Sequence, residues 1–261
     1  MSAISANTLF HFTRNKDTLI NILRTKFYPR LSLENMVFIN DRMKIAYPMV
    51  CFCDIPLSQI SNHSDNYGHY AIGLKKEWAI NKGITPILYT HSNSILCDNI
   101  RDNLRNINRI NRYQSVSEVT RFNDRMDLIY DLLYTSLFMK PYKGQQKIQN
   151  ELKDIIFYNE REWRYIPPKT KLMENVSKHK FGFCITERDY TEPLIAEMNS
   201  MNEAHGLEFS PNDINYIIVE KEEEILELID AIQRIKGKYP YDDVKLLSTR
   251  IISMERISED F

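Results

Sequence analysis

Glycine is scarce in this sequence, which contains 7 glycines and 10 prolines among 261 residues. Flexible and extended linkers are rich in glycine, serine or proline, so we predict no long linker between domains. The sequence also has no glycine-rich phosphate loop, no GxSxG elbow and no HExxH helix. Their absence argues against P-loop kinases and ATPases, α/β-hydrolases and zincin proteases.

Cysteine is scarce too, and the 4 cysteines form neither a CxxC pair nor a Cys/His zinc pattern. Cys51 and Cys53 lie two residues apart in a predicted strand. We therefore interpret them as buried free thiols and predict a reducing, cytoplasmic location. His63, Asp65 and His69 match no standard metal spacing, and we predict no metal site.

Neither sign of charge dominates, since 34 basic and 35 acidic residues give a net charge of -1. The molecule as a whole is therefore not a polyanion binder, and any nucleic-acid contact must come from a local patch. No apolar run reaches the length of a transmembrane helix, and the start has no signal-peptide pattern. The 43% hydrophobic and 26% charged content is typical of a soluble globular protein.

Hydrophobic periodicity predicts a mixed α/β (α+β) fold in a single domain, residues 1–261. Residues 1–95 and 153–261 form the predicted core, residues 96–152 a helical insertion, and the end of the chain a strand–helix–strand unit. Strands are predicted at 8–13, 47–56, 69–74, 84–90, 159–167, 180–186, 214–220 and 244–257. Outside the insertion, helices are predicted at 14–27, with Asn15 as N-cap, at 75–83 and at 221–237.

The end of the first predicted strand carries a polar pair, His11 and Thr13, in the sequence HFT. With the free backbone amides that follow, such a pair can hold a ribose hydroxyl or an amide group of a ligand. The alternative is a histidine whose ring is satisfied by the backbone. Later, in the connection between two apolar strands, Tyr67 precedes Gly68. An aromatic ring beside glycine allows a flat ligand or a neighbouring backbone to approach closely.

Two carboxylates stand out in the stretch NEREWRYIP, residues 159–167. In a strand, Glu160, Glu162 and Arg164 share one face, while Trp163 and Tyr165 share the other. The stretch is then either a charged sheet edge with Trp163 in the core, or a strand that aims a carboxylate at a ligand.

A row of arginines follows one face of the predicted helical insertion. A row of this kind suits phosphates or an acidic partner, although most such rows are solvated helix faces. Its members are Arg101, Arg105, Arg109 and Arg112.

The stretches LFHFTRNKDTLINILRTKFYPR, MVCFCDIPLSQISNHSDNYGHYAIGLKKEWAINKGITPILY and NEREWRYIP resemble the AbiGi family of abortive phage-resistance proteins. The resemblance covers most of residues 8–90, then 155–167, and more loosely the end of the chain. It implies a role in phage defence, as an antitoxin or regulatory component with a cognate partner, and does not by itself imply a reaction.

LFHFT followed by LINIL also resembles the opening of ADP-ribosyltransferases of the DarT kind. That resemblance implies a split β-sheet core, NAD as substrate, and a cleft with His11, Tyr67 and Glu162. Phe12 stands where many members have glycine, and Tyr70 is an alternative to Tyr67.

The same resemblance implies a role for each candidate residue. Glu162 would stabilise the transition state, and Glu160 would orient the acceptor. His11 and Thr13 would hold the ribose and the carboxamide, and Tyr67 would stack on nicotinamide. Arg164 would either pair with a carboxylate or bind pyrophosphate.

Three functional hypotheses follow. The chain is an NAD-dependent ADP-ribosyltransferase effector that modifies a nucleic-acid or protein acceptor. Alternatively, it is an antitoxin or regulator that binds a cognate toxin. In the third hypothesis the helical insertion senses a phage protein. None of them involves a membrane.

Overall fold

A mixed α/β fold is formed by the residues that the computed structural model describes, 6–40, 42–109, 118–148, 151–178 and 182–260. The strands are β1 (Thr8–Thr13), β2 (Arg30–Asn35), β3 (Lys44–Cys53), β4 (Tyr70–Lys75), β5 (Thr85–Pro86), β6 (Leu88–Thr90), β7 (Met139–Pro141), β8 (Gly144–Ile148), β9 (Glu151–Ile155), β10 (Glu162–Tyr165), β11 (Ile185–Thr186), β12 (Ile214–Val219) and β13 (Ile251–Ser253). The helices are α1 (Lys16–Arg24), α2 (Ile60–Tyr67), α3 (Lys76–Asn81), α4 (Ile95–Arg109), α5 (Glu118–Ser136), α6 (Lys169–Lys178), α7 (Glu192–Met201), α8 (Ile225–Lys236), α9 (Tyr241–Ser248) and α10 (Met254–Asp260). The predicted mixed α/β class is confirmed.

The main sheet runs in the order β13-β12-β4-β1-β3-β10-β5. Its strand β3 has different partners along its two halves. Residues 44–49 pair with β2, and within that half β11 pairs at 45–46, whereas residues 50–53 pair with β10. Strand β1 is in register with β3 at one pair, Phe10 with Cys53. The sheet therefore divides at the middle of β3, close to the end of β1.

Helix α1 illustrates how local sequence determines an element. The Asn15 side chain accepts a hydrogen bond from the backbone N–H of Thr18 at 3.0 Å, as an N-cap should. Leu19, Ile22 and Leu23 lie on one helix face and are buried. The predicted helix and its cap are confirmed, although the helix ends at Arg24 rather than at residue 27.

Alternating residues of the central strands pack into two cores on opposite faces of the sheet. On one face, Phe52, Ile72 and Ile217 join a large cluster with Leu228 and Ile232 of α8. On the other face lies a smaller cluster: Phe10, Ile55, Ile60, Ala71, Ile218, Met254 and Ile257. The period-2 alternation of strands explains why Ile217 and Ile218 belong to different cores.

The helical insertion is shorter than the sequence predicts. Helices α4 and α5 account for residues 95–109 and 118–136, but β7, β8 and β9 follow between 139 and 155. Pro141 cannot continue a helix, and β7 pairs in parallel with the distant strand β6. The prediction of helix up to residue 152 is therefore wrong after Ser136.

The end of the chain differs from its predicted long strand at 244–257. Val244 and Leu247 are buried three residues apart in α9, and Met254 and Ile257 repeat that spacing in α10. This spacing places each pair on one helix face. A strand forms only at Ile251–Ser253, in parallel with β12. The prediction also omitted β2, α2, α6 and α7.

No helix in the described part of the chain combines the length and the apolar character needed to cross a membrane.

Candidate functional site

A cavity of about 300 Å³, here called the central cavity, opens where β1 and β3 diverge. Four predicted site residues line it: His11 of β1, Tyr67 of α2, Glu160 of the 3-10 turn before β10, and Glu162 of β10. These side chains come from three separate stretches of the chain. The fold thus brings them together around one space of ligand size.

His11 bridges the gap between the diverging strands. Its Nδ1–H donates to the backbone carbonyl of Cys51 at 2.8 Å. The ring also packs edge-on against Phe27, with the centroids 5.1 Å apart. Burial lowers the pKa of His11, so the imidazole is neutral at physiological pH. The backbone bond that the alternative interpretation predicted is present, on a residue that also lines the cavity.

Glu162 is an ionised carboxylate held by two cations. Its Oε1 accepts from Nε of Arg164 at 2.7 Å, and its Oε2 accepts from Nζ of Lys140 at 3.0 Å. Burial alone would raise the pKa of Glu162, but the charges of Arg164 and Lys140 outweigh it and lower the pKa. The carboxylate therefore stays charged at neutral pH although it is only 4% exposed.

Arg164 lies behind Glu162 and does not line the cavity. It is completely buried and donates from Nη1 to Tyr47 Oη and to the Leu137 carbonyl, at 2.5 and 2.7 Å. A weaker contact of 3.4 Å joins Nη2 to Glu34. Of its two predicted roles, the structure shows the pairing with a carboxylate.

The pKa of Glu160 is shifted in the opposite direction to that of Glu162. Its Oε1 accepts from the Tyr67 hydroxyl at 2.6 Å, and its Oε2 accepts from Lys140 at 2.6 Å. Burial raises the pKa of Glu160 in spite of both partners. Burial and the nearby Glu160 charge also raise the pKa of Tyr67, which remains a neutral donor. Neighbouring carboxyl groups whose pKa values are pushed apart can divide electrostatic and proton-transfer roles between them.

A left-handed backbone at Arg161 separates the two glutamates. Its φ of 44° is the only positive φ of a non-glycine residue in the described part of the chain. The predicted continuous strand is therefore wrong at its start, since Glu160 ends a 3-10 turn and β10 begins at Glu162. Trp163 points to the opposite face and packs against the large core. The interpretation of the stretch as a charged sheet edge is otherwise wrong, since Glu160, Glu162 and Arg164 are buried.

Lys140 and Glu34 line the same cavity, and the sequence prediction missed both. Lys140 Nζ lies 4.9 Å from the centroid of the Phe157 ring and contacts both glutamates. Burial disfavours its charge, but the surrounding carboxylates raise its pKa. The available signal was a lysine between apolar residues in the sequence FMKPY. The predicted helical insertion, residues 96–152, covers that segment, so the sequence gives no reason to place Lys140 at the site.

Thr13 and Tyr70 do not line the central cavity. The Thr13 hydroxyl donates to the Asn15 carbonyl at 3.2 Å. The Tyr70 hydroxyl donates to Glu224 at 3.0 Å, and its ring belongs to the large core. Of the two candidate tyrosines, Tyr67 is therefore the one at the cavity.

Gly68 fixes the position of Tyr67, and replacing it by alanine should be strongly destabilising. Its φ is +111°, and an added Cβ would lie 2.2 Å from the Thr13 carbonyl oxygen. We expect Gly68→Ala to lower the free energy of unfolding by at least about 2 kcal/mol, measured by urea denaturation. Gly83→Ala is the matched control, because Gly83 has a φ of +75° but open space around it. Equal losses in the two variants would contradict a steric role for Gly68.

The two arginines of the row whose side chains the structure describes, Arg101 and Arg105, do not line the central cavity. Arg101 donates to the backbone carbonyls of Ser92 and Val37, at 2.9 Å each. Arg105 pairs with Asp102 at 2.8 Å on an exposed surface. The side chain of Arg109 and the whole of Arg112 lie outside the described residues.

The ion pairs of Glu162 should make its contribution to stability dependent on pH. Its pKa in the folded protein is below the ordinary value of 4.5, so the unfolded chain binds the proton more readily in acid. The stabilisation is present above the unfolded pKa and disappears as the pH falls through the folded pKa. We therefore expect the difference in unfolding free energy between the wild type and Glu162→Gln to shrink from pH 4.5 towards about pH 2. A constant difference over that range would contradict the assignment.

A family model and a known protein that resemble this chain both carry the description AbiGi. A family model described as "Putative abortive phage resistance protein AbiGi, antitoxin" matches residues 25–220. The abortive phage resistance protein AbiGi of Lactococcus lactis subsp. cremoris is 30% identical over 260 residues, which cover 90% of this chain and 99% of that protein. No solved structure matches the chain.

Proposed function

This chain belongs to the AbiGi family of abortive phage resistance proteins, and we propose that it acts in anti-phage defence by transferring ADP-ribose from NAD in the central cavity. The observation that carries the proposal is the convergence of His11, Tyr67, Glu160 and Glu162 on one cavity. The division of the sheet at β3 supports the split, ADP-ribosyltransferase-like core that is part of the same proposal.

The central cavity fits the nicotinamide riboside half of NAD. Its volume of about 300 Å³ is at the lower end of the range for small-molecule sites, so it suits half of a dinucleotide. Three carboxylates, Glu34, Glu160 and Glu162, face two cations, Lys140 and Arg164. The excess negative charge suits the positively charged nicotinamide ring, and the Tyr67 ring offers a stacking surface.

The two glutamates would divide the chemistry of transfer. The reaction breaks the bond from ribose to nicotinamide, whose electron pair leaves with nicotinamide, and bonds the ribose carbon to an acceptor atom that loses a proton. Glu162, held ionised by Arg164 and Lys140, would stabilise the positive charge that develops on the ribose carbon. Glu160, whose pKa is raised, would orient the acceptor and take its proton. His11 would bind the ribose or the carboxamide.

Direct detection of transfer tests this proposal. Purified protein is incubated with NAD labelled in the adenylate portion and with a cell extract, and the label is followed in nucleic-acid and protein fractions. We expect label in one fraction together with release of nicotinamide. Absence of both from folded protein would contradict the proposal.

A second candidate function is that of an antitoxin that binds a cognate toxin. The description of the matching family as an antitoxin favours it. In that case the chain is harmless when expressed alone, co-purifies with the product of a neighbouring gene and releases no nicotinamide. Growth arrest on expression alone that disappears in Glu162→Gln would instead support the enzyme.

A further inference from the structure

A second cavity, of about 580 Å³, lies beside the start of β1 and shares the side chain of Phe10 with the central cavity. It is bordered by Thr8 of β1, by Asn215 and Tyr216 of β12, and by Arg250 before β13. We propose that this second cavity is a binding site for a nucleoside 5′-phosphate, separate from the site of ADP-ribosyl transfer.

A flat aromatic surface is built into the wall of the second cavity. Phe10, Gly73 and Tyr216 lie side by side across β1, β4 and β12. Because Gly73 has no side chain, Phe10 lies over it: an added Cβ would be 2.7 Å from the Phe10 ring. The Tyr216 ring stacks on Phe10, with the centroids 6.0 Å apart and the planes at 26°. Tyr216 is 36% exposed, so its supported ring can stack on a planar ligand.

Polar groups beside this surface suit the edge of a nucleobase. The Asn215 amide is anchored, since its Nδ2 donates to the Thr8 hydroxyl at 2.8 Å. Nδ2 also contacts the Asn7 carbonyl at 3.5 Å, so the amide oxygen is the atom that can accept a hydrogen bond from a donor on the edge of a base. Pro56 and Leu57 contribute an apolar border. The wall therefore combines stacking, amide hydrogen bonding and apolar contact.

The charge of the second cavity selects an anion. Arg250 is the only side chain that carries a charge at neutral pH among the described residues that line it. Its Nη1 is fixed by the carbonyls of Pro211 and Ile214. A guanidinium has five N–H donors, so Nη2 and Nε remain for a phosphate group. The central cavity, which has three carboxylates in its network, has the opposite preference.

Titration of the full chain with AMP by calorimetry, without NAD, tests this proposal. We expect AMP to bind, and Tyr216→Leu to weaken the affinity roughly 5- to 150-fold because a stacked base is lost. Tyr142→Leu, which removes another exposed tyrosine outside both cavity linings, should bind AMP like the wild type. Glu160→Gln in the central cavity should also leave AMP binding unchanged.

The phosphate contact is tested separately with adenosine. The wild type should prefer AMP to adenosine, and Arg250→Gln should remove that preference. Arg250→Gln also loses two contacts with backbone carbonyls, so circular dichroism must show that this variant is folded. If Arg250→Gln does not fold, the affinity of Tyr216→Leu for AMP decides the outcome. No binding of AMP, unchanged affinity in Tyr216→Leu, or equal weakening in Glu160→Gln would overturn the proposal. Since NAD is absent, these outcomes are independent of ADP-ribosyl transfer.

Discussion

Replacing Glu162 by glutamine should lower the free energy of unfolding by about 3–5 kcal/mol, the cost of breaking a buried ion pair. The substitution leaves the fully buried Arg164 and the mostly buried Lys140 without the carboxylate that both contact. The free energy of unfolding of a globular protein is roughly 5–15 kcal/mol in total. The variant should therefore remain folded in buffer but unfold at a much lower urea concentration. Urea denaturation at pH 7 measures the change.

Glu187→Gln is the control for this substitution, since Glu187 pairs with Lys44 on the surface, where both side chains are substantially exposed. An exposed pair contributes about 0–1 kcal/mol, so this variant should differ little from the wild type. If Glu162→Gln cost no more than Glu187→Gln, the ion pairs around Glu162 would not be part of what stabilises the fold.

Glu160→Gln should separate transfer to an acceptor from release of nicotinamide. Loss of a positioned base lowers a rate on the order of 10²-fold or more, so transfer of ADP-ribose should fall by that amount. Release of nicotinamide should fall less, because Glu162 still stabilises the developing positive charge. The variant should also be more stable than Glu162→Gln, since Glu160 pairs with one cation, Lys140, whereas Glu162 pairs with both Lys140 and Arg164.

Both rates are measured on the same preparation, with labelled NAD for transfer and chromatography for nicotinamide. Glu187→Gln again serves as control and should retain both rates. Equal loss of transfer and of nicotinamide release in Glu160→Gln would contradict separate roles for the two glutamates. An unchanged rate of transfer would exclude Glu160 from acceptor chemistry.

Local patterns in the sequence are sufficient to predict those helices and strands that are stabilised mainly by residues close to each other along the chain. Helix α1 was predicted because Asn15 caps it and Leu19, Ile22 and Leu23 repeat at helical spacing. Strand β11 is shorter than the strand predicted at 180–186, and its pairing with β3 depends on residues far along the chain. Strand β2 pairs with β3, the next strand along the chain, and is absent from the prediction. The end of the chain differs from its predicted strand because its apolar residues fit a strand pattern and a helix pattern equally over short runs.

The candidate site could be predicted only in part, for the same reason. His11, Tyr67 and the two glutamates were identified by residue type and by resemblance. Lys140 was not, since its importance comes from contacts with residues 20 and 22 positions away. The second cavity could not be predicted from the sequence either, because Phe10 and Tyr216 come together only through the pairing of β1, β4 and β12.

The proposal that the central cavity cleaves NAD is tested most directly by the release of nicotinamide from NAD by the purified wild type and by Glu162→Gln. Circular dichroism must first show that both proteins are folded under the assay conditions. The wild type should release nicotinamide, and Glu162→Gln should do so at least about 10²-fold more slowly. Release by neither protein, or at equal rates by both, would contradict a catalytic role for Glu162.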